Sequence, residues 1–173
     1  MDAPARYVWG PLTAFGLVVA VVACIFDQVS KLWLLNSFDL ANKGVVKLMP
    51  FVDLVLTWNT GISYGWFQQE TAFGQWALLA VKVVAIILLW IWLARAGSRL
   101  SALALGLIIG GALGNAIDRV AYGAVADFVL LHAETATWRF NWYVFNLADV
   151  AIVAGVAGLL YESLWPGSAP KAP

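Results

Sequence analysis

Long apolar runs broken by single charges constrain this chain more than any other feature. A membrane-spanning helix needs about 20 mostly apolar residues. Four segments of the 173-residue sequence are of that kind: 12–36, interrupted by Asp27 and Lys31; 72–94, interrupted by Lys82; 100–117, without a formal charge; and 142–165, interrupted by Asp149 and Glu162. The chain is 62% hydrophobic and only 12% charged, against about 25% charged in soluble domains. A soluble globule of this length has no interior large enough to hide that surface. The expected fold is therefore membrane α-helical: one domain over 1–173, with four transmembrane helices and longer loops at about 37–71 and 118–141. Segment 45–56 is rich in Val, Leu and Phe around the Met49-Pro50 break, and 122–131 offers a second short strand. They predict a small extracytoplasmic β-rich subdomain at the membrane surface.

Ten Lys and Arg balance ten Asp and Glu, so no basic footprint for nucleic acid exists. A single Cys (Cys24) and a single His (His132) leave no disulfide framework and no HExxH-type metal site. Neither a metal nor a cofactor is expected. Orientation follows from Lys and Arg near the spans. Arg6, Arg95, Arg99 and Lys171 fall on one side, which is read as cytoplasmic, although Lys43 and Lys47 lie in the first outer loop. Both termini are then inside and both longer loops outside. Val21-Val22-Ala23-Cys24 has the look of a cleavage box, but the apolar run continues past it and three spans follow, so the first helix is read as retained.

A charge at mid-bilayer costs about 2.5–3.5 kcal/mol on insertion scales, and marks a functional site by default. With this orientation, Asp27 and Lys31 lie in the outer third of the first helix. Asn115, Asp118 and Arg119 lie at the outer end of the third, and Asn146 and Asp149 in the first turns of the fourth. The outer loops add Asn59 and Asp127. Polar groups from separate parts of the chain thus converge on one depth. Plainer readings stand beside this one. Asp27 and Lys31, like Asn115 and Arg119, are spaced for an intrahelical pair, and Arg119 suits the headgroups. Glu162 falls near the inner end and reads as solvated, His132 as a surface loop residue, and Cys24 as packing; Lys82 has no assignment. Ala102, Gly106, Gly110 and Gly114, widened by Gly111, form a smooth helix face for close packing. Trp9, Trp33, Trp66, Trp76, Trp142 and Trp165 near the span ends suit interfacial anchoring.

Gly61-Ile62-Ser63-Tyr64-Gly65 matches the G-x-S-x-G pattern of serine hydrolases. That motif needs a strand-to-helix turn in an α/β sheet, which this chain cannot build; the two glycines read as shaping a tight loop. The remaining reactive groups are carboxylates. Asp127 and Asp149 are free to face each other across one site, where one would keep a proton while the other takes a proton from an attacking water. A proton-coupled transporter or a purely structural membrane subunit are the competing classes. One-sided polar groups and the lack of an inverted repeat speak against transport.

Four blocks then carry a resemblance: Asp27-Gln28-Val29-Ser30-Lys31; Asn59-Thr60-Gly61 through Gly65; Gly110 through Arg119 with Val125-Ala126-Asp127-Phe128; and Phe145-Asn146-Leu147-Ala148-Asp149. In this order, over residues 27–149, the sequence resembles the bacterial lipoprotein signal peptidases, the type II enzymes. The resemblance implies a four-helix aspartyl endopeptidase of the cell (inner) membrane. It implies cleavage of diacylglyceryl-modified prolipoproteins before the lipidated Cys, with Asp127 and Asp149 as the catalytic dyad. Asn59, Gly61, Asn115, Asp118, Arg119 and Asn146 would line or support the site, with Asp27 and Lys31 nearby. Ser63 and Tyr64 depart from the small residue and Phe usual in the family. Substrate and membrane lipid are the expected partners, and the enzyme is expected to act as a monomer.

Overall fold

The structure is a computed structural model and describes residues 8–61, 72–134 and 137–165. Its exposure pattern is the reverse of a soluble domain. On the first helix, α1 (Thr13–Leu32), Phe26 is 67% exposed while its neighbour Asp27 is fully buried. Exposed Val18, Val21, Val22, Ile25 and Val29 continue the apolar outer surface. Such a surface is stable where the surrounding solvent is hydrocarbon.

The helix α1 runs on through a wider π-type turn, Trp33–Ser37. The chain then reverses at Asp39, which takes a left-handed φ of 55°, into a short helix α2 (Leu40–Lys43). Gly44, at φ 67°, leads into β1 (Val46–Met49), and a turn through Pro50 leads into β2 (Val52–Asn59). After α3 (Ala72–Leu93), a tight connection reaches α4 (Arg99–Tyr122), whose first turn is capped by the Ser98 hydroxyl accepting from the Ser101 N–H at 3.0 Å. Strands β3 (Val125–Glu134) and β4 (Arg139–Asn141) precede α5 (Leu147–Leu164). The sheet is antiparallel in the order β1-β2-β3-β4. Leu34, Leu40, Leu54 and Phe128 form the core that seats it on the end of α1.

Helix α4 is the central post. Its small residues meet two neighbours rather than one. A Cβ on Gly110 would stand 2.4 Å from the Ala20 carbonyl oxygen of α1, and a Cβ on Gly111 the same distance from the Ala148 oxygen of α5. Backbones approach this closely only where side chains are absent. The expected close-packing role of the glycines therefore holds, and it applies to two helix faces.

Among the described residues, the helical stretches Thr13–Ser37, Arg99–Tyr122 and Leu147–Leu164 are long and apolar enough to cross a membrane; in α3 the apolar stretch so described is Leu79–Leu93. Several boundaries differ from the sequence expectation. The third long helix continues to Tyr122, past 117, because Asp118 and Arg119 find partners inside the protein. It stops at Gly123, where the backbone turns left-handed at φ 73°. The last helix starts at Leu147, not at 142, since Asn146 is its N-cap. The strand β4 carried no clear signal. His132 lies on β3, not in a loop, with Nε2 3.2 Å from Oδ2 of Asp53 on β2. Glu162 is not simply solvated: the hydroxyls of Ser98 and Ser101 both donate to its carboxylate. Arg6, Trp66 and Lys171, and the G-x-S-x-G pattern beyond Gly61, lie outside the described residues.

Close contact at Gly110 gives a stability test. Gly110→Val should destabilise the protein by at least about 1–3 kcal/mol through overpacking, while Gly97→Ala, with nothing within 4 Å of the added Cβ, should stay within about 0.5 kcal/mol. Thermal unfolding in detergent measures both; equal effects would contradict the packing described.

Candidate active site

Asp127 and Asp149 come from different elements and are brought together by local backbone rules. Asp149 is the third residue of α5 and closes a capping box with Asn146. The Asp149 N–H donates to Asn146 Oδ1 at 3.0 Å, and the Asn146 N–H donates to Asp149 Oδ2 at 3.2 Å. The reciprocal bonds satisfy two otherwise orphaned donors at the helix start. They also fix the carboxylate within the first turn.

Asp127 sits on β3 and is 3% exposed. Between Leu54 and Thr57 the pairing of β2 with β3 slips by one residue. Such a bulge exchanges the two faces of a strand. Beyond it, Thr57 stands opposite Asp127 and Asn59 opposite Val125, so Asn59 is diagonal to Asp127 on the same face. Its Nδ2 donates to Asp127 Oδ2 at 3.1 Å, and its Oδ1 accepts from the Gly61 N–H at 3.0 Å.

Asn146 joins the two carboxylates. Besides its bonds to Asp149, its Nδ2 donates to Asp127 Oδ1 at 2.6 Å and to Asn115 Oδ1 at 3.1 Å. Asn115 in turn donates to Asp149 Oδ1 at 3.0 Å. Both acids are thus held by neutral amides, not by direct ion pairs among the described residues. Burial pushes the Asp127 carboxyl up to about 7 from its ordinary 3.8, and the Asp149 charge pushes the same way. The amides of Asn59 and Asn146 and the Lys31 charge oppose the rise.

Behind the amides lies a buried ionic core. The Lys31 ammonium is 2% exposed and meets Asp27 Oδ2 at 2.8 Å, Asp118 Oδ2 at 2.8 Å and Asn115 Oδ1 at 3.1 Å. The expected Asp27–Lys31 pair is present but is half of a larger group. Asp27 Oδ1 accepts from the Ala148 N–H at 2.9 Å, and Asp118 Oδ2 from the Ala126 N–H at 3.1 Å. Each of these two carboxylates therefore grips the peptide immediately before one of the two site aspartates. Gln28, which sequence reasoning did not single out, donates to Asp118 Oδ1 at 2.9 Å and to the Gly114 carbonyl at 3.0 Å. Its place beside Asp27 was the available signal. Gly114 is obligatory for space, since a Cβ there would stand 2.4 Å from Asp27 Oδ2.

Arg119 does not pair with Asn115. Its guanidinium donates to the carbonyls of Gly61 and Thr60, tying the strand-end segment to α4. Lys82 is half-buried on α3, within electrostatic reach of Arg119, Asp149, Lys31 and Asp127, and makes no ion pair among the described residues. The two aspartates and Asn59 open into a cavity of about 600 Å³, walled by Leu131, Trp142, Tyr143, Phe145 and the Val150–Ala157 face of α5. An apolar chamber with two acids at one end suits a substrate that is itself apolar. No group of three or more His, Cys, Asp or Glu side chains arranged to hold a metal occurs among the described residues.

The family model described as signal peptidase (SPase) II matches residues 19–165. A lipoprotein signal peptidase of Rhodopseudomonas palustris is 62% identical over 91% of this chain and 96% of its own. One from Nitrobacter hamburgensis is 61% identical over the same shares. A solved structure described as a bacterial membrane enzyme superposes with a TM-score of 0.67 at 25% identity, covering 90% of each chain. Matches of this extent, on a membrane protein whose polar residues gather as described, make the chain a member of the signal peptidase II family.

Proposed function

We propose that this protein is the aspartyl endopeptidase that removes signal peptides from diacylglyceryl-modified prolipoproteins, cleaving before the lipidated Cys with a water activated between Asp127 and Asp149. The observation that carries this reading is Asn146, one residue bonded to both carboxylates at the end of an apolar cavity, its side-chain amide donating to Asp127 and its backbone N–H to Asp149. Two acids coupled so closely share a proton, and their titration belongs to the pair. The ionised member takes a proton from water as its oxygen attacks the scissile carbonyl carbon. The protonated member gives its proton to the carbonyl oxygen; as the resulting gem-diol collapses and the C–N bond breaks, it takes that proton back, and the proton drawn from water passes from the other member to the leaving amine. Burial and the Asp149 charge both favour Asp127 as the proton holder.

Asn59, Asn115 and Asn146 orient the carboxylates, and Arg119 ties the Thr60 and Gly61 carbonyls at the end of β2 to α4. Asp27, Lys31 and Asp118 position the backbone beneath. In the membrane, α3 serves as the fourth span; its 22 residues and its packing on α4 support this. Both termini then lie in the cytoplasm and the dyad near the extracytoplasmic face of the inner membrane. At that depth the scissile bond of a membrane-anchored precursor arrives without its lipid leaving the bilayer. One chain supplies every residue named, in keeping with a monomer.

Asp127→Asn and Asp149→Asn should each lower the cleavage rate of a lipidated precursor by about 10²-fold or more while the variants stay folded; near-normal processing by either would refute the dyad. Activity should decline as pH rises through 7, as the shared proton is lost. Stability should follow the same sign. A carboxyl whose folded value is raised destabilises the folded state progressively between about pH 4 and 7 as pH rises, so the thermal midpoint of Asp127→Asn should gain on the parent across that window. Lys31→Met strands two buried carboxylates and should destabilise by about 3–5 kcal/mol; an unfolding midpoint unchanged from the parent would contradict the ionic core's role.

A further inference from the structure

At the end of α5 far from the dyad lies a second cavity, of about 500 Å³, lined by Trp92, Ser101, Val156, Leu159, Leu160 and Glu162, among others. Among the described residues, Glu162 is the one acidic or basic group in its wall. The Ser98 and Ser101 hydroxyls donate one to each of its carboxylate oxygens. Ser98 is itself fixed as the N-cap of α4, so the anion is held in place by the start of one helix and the end of another. Among the described residues it makes no ion pair. An anion fixed at an apolar wall, with acceptor positions still open, is a seat for a cation.

The two cavities share one stripe of α5. Val150, Val153, Ala157 and Leu160 recur at helical spacing. The first three line the dyad cavity and Leu160 lines the second. Val150, Val153 and Leu160 are exposed, at 47%, 61% and 59%. From Asp149 to Glu162 the helix rises about 20 Å. A signal peptide carries a basic n-region, then an apolar segment of about 7–15 residues, then the cleavage site. As a helix, that apolar segment spans about 10–22 Å, which matches the distance between the acids and Glu162.

We infer that Glu162 receives the basic n-region of the signal peptide while its apolar segment lies along the Val150–Leu160 stripe and its cleavage site reaches the dyad. This rests on the signal-peptidase reading and adds a determinant of substrate choice thirteen residues from the chemistry. Helix α5 thereby measures the length of the apolar segment between two fixed charged sites.

The test uses the full-length enzyme in detergent and two lipidated precursor peptides identical except for Lys or Gln at two n-region positions. The parent enzyme should show a KM about fivefold lower for the Lys peptide, with similar kcat, a difference of the size of one partly exposed ion pair. Glu162→Gln keeps an oxygen that accepts from one serine and an amide N–H that can donate to the other hydroxyl, and should erase that preference without changing kcat on the Gln peptide. Glu162→Asp should keep the preference, and Glu162→Lys should invert it in favour of the Gln peptide. A tie that merely joins α4 to α5 would lower activity on both peptides equally. Equal KM values for the parent, or a preference that survives in Glu162→Gln, overturn the inference; the latter would point to lipid headgroups or another acid as the source. Failure to cleave either peptide would instead remove the signal-peptidase reading itself.

Discussion

One ammonium group organises the site. Lys31 has three protons, and Asp27, Asp118 and Asn115 accept all three. A lysine buried among apolar helices is unfavourable unless each donor is satisfied and its charge is compensated. Two carboxylates overcompensate the charge, and their spare lone pairs reach the peptide N–H groups of Ala126 and Ala148. In this way a charge on α1 fixes the chain just before Asp127 on β3 and just before Asp149 on α5. The third acceptor, Asn115, passes the constraint to Asp149 and Asn146. Three helices and a strand are thus locked to one nitrogen.

The arrangement separates the charge that positions the site from the acids that face the cavity. The ammonium lies behind a layer of amides, so among the described residues Asp127 accepts from the neutral side chains of Asn59 and Asn146 and keeps an elevated proton affinity. A direct Lys–Asp127 pair would hold that carboxyl ionised and remove the asymmetry on which the proposed shared-proton chemistry depends. Electrostatic order and chemical readiness are both obtained because Asn115 and Asn146 stand between them.

Close backbone packing makes the rest of this possible. Gly110 and Gly111 bring α1 and α5 against two adjacent faces of α4, and Gly114 leaves the space that the Asp27 carboxylate fills. Side chains at those positions would separate the helices that carry Lys31, Asn115 and Asp149. The apolar faces turned away from α4 need no protein partner, since lipid is as favourable to them as a protein core. What has to be buried here is polar, and it is buried at one end of the helices.

Much of this was legible in the sequence. Apolar runs announced the long helices, because helix length and hydrocarbon thickness are matched by simple rise per residue. Charges inside those runs or at their outer ends named Asp27, Lys31, Asp118, Arg119 and Asp149 as residues that need partners, and the Asp27–Lys31 spacing gave one of the pairs. The short β-rich segments were visible, and Asn146-x-x-Asp149 carried a capping pattern within four residues. Tertiary structure alone decided which partners meet. No periodicity in β2 tells that a one-residue bulge turns Asn59 toward Asp127. Nor does any spacing tell that Arg119 would take the carbonyls of Gly61 and Thr60, or that Glu162 would meet Ser98 and Ser101 from sixty residues away. A sequence fixes how much polarity must be buried and at what depth along each helix; which donor meets which acceptor depends on strand register and helix rotation, and those are set only when the faces pack.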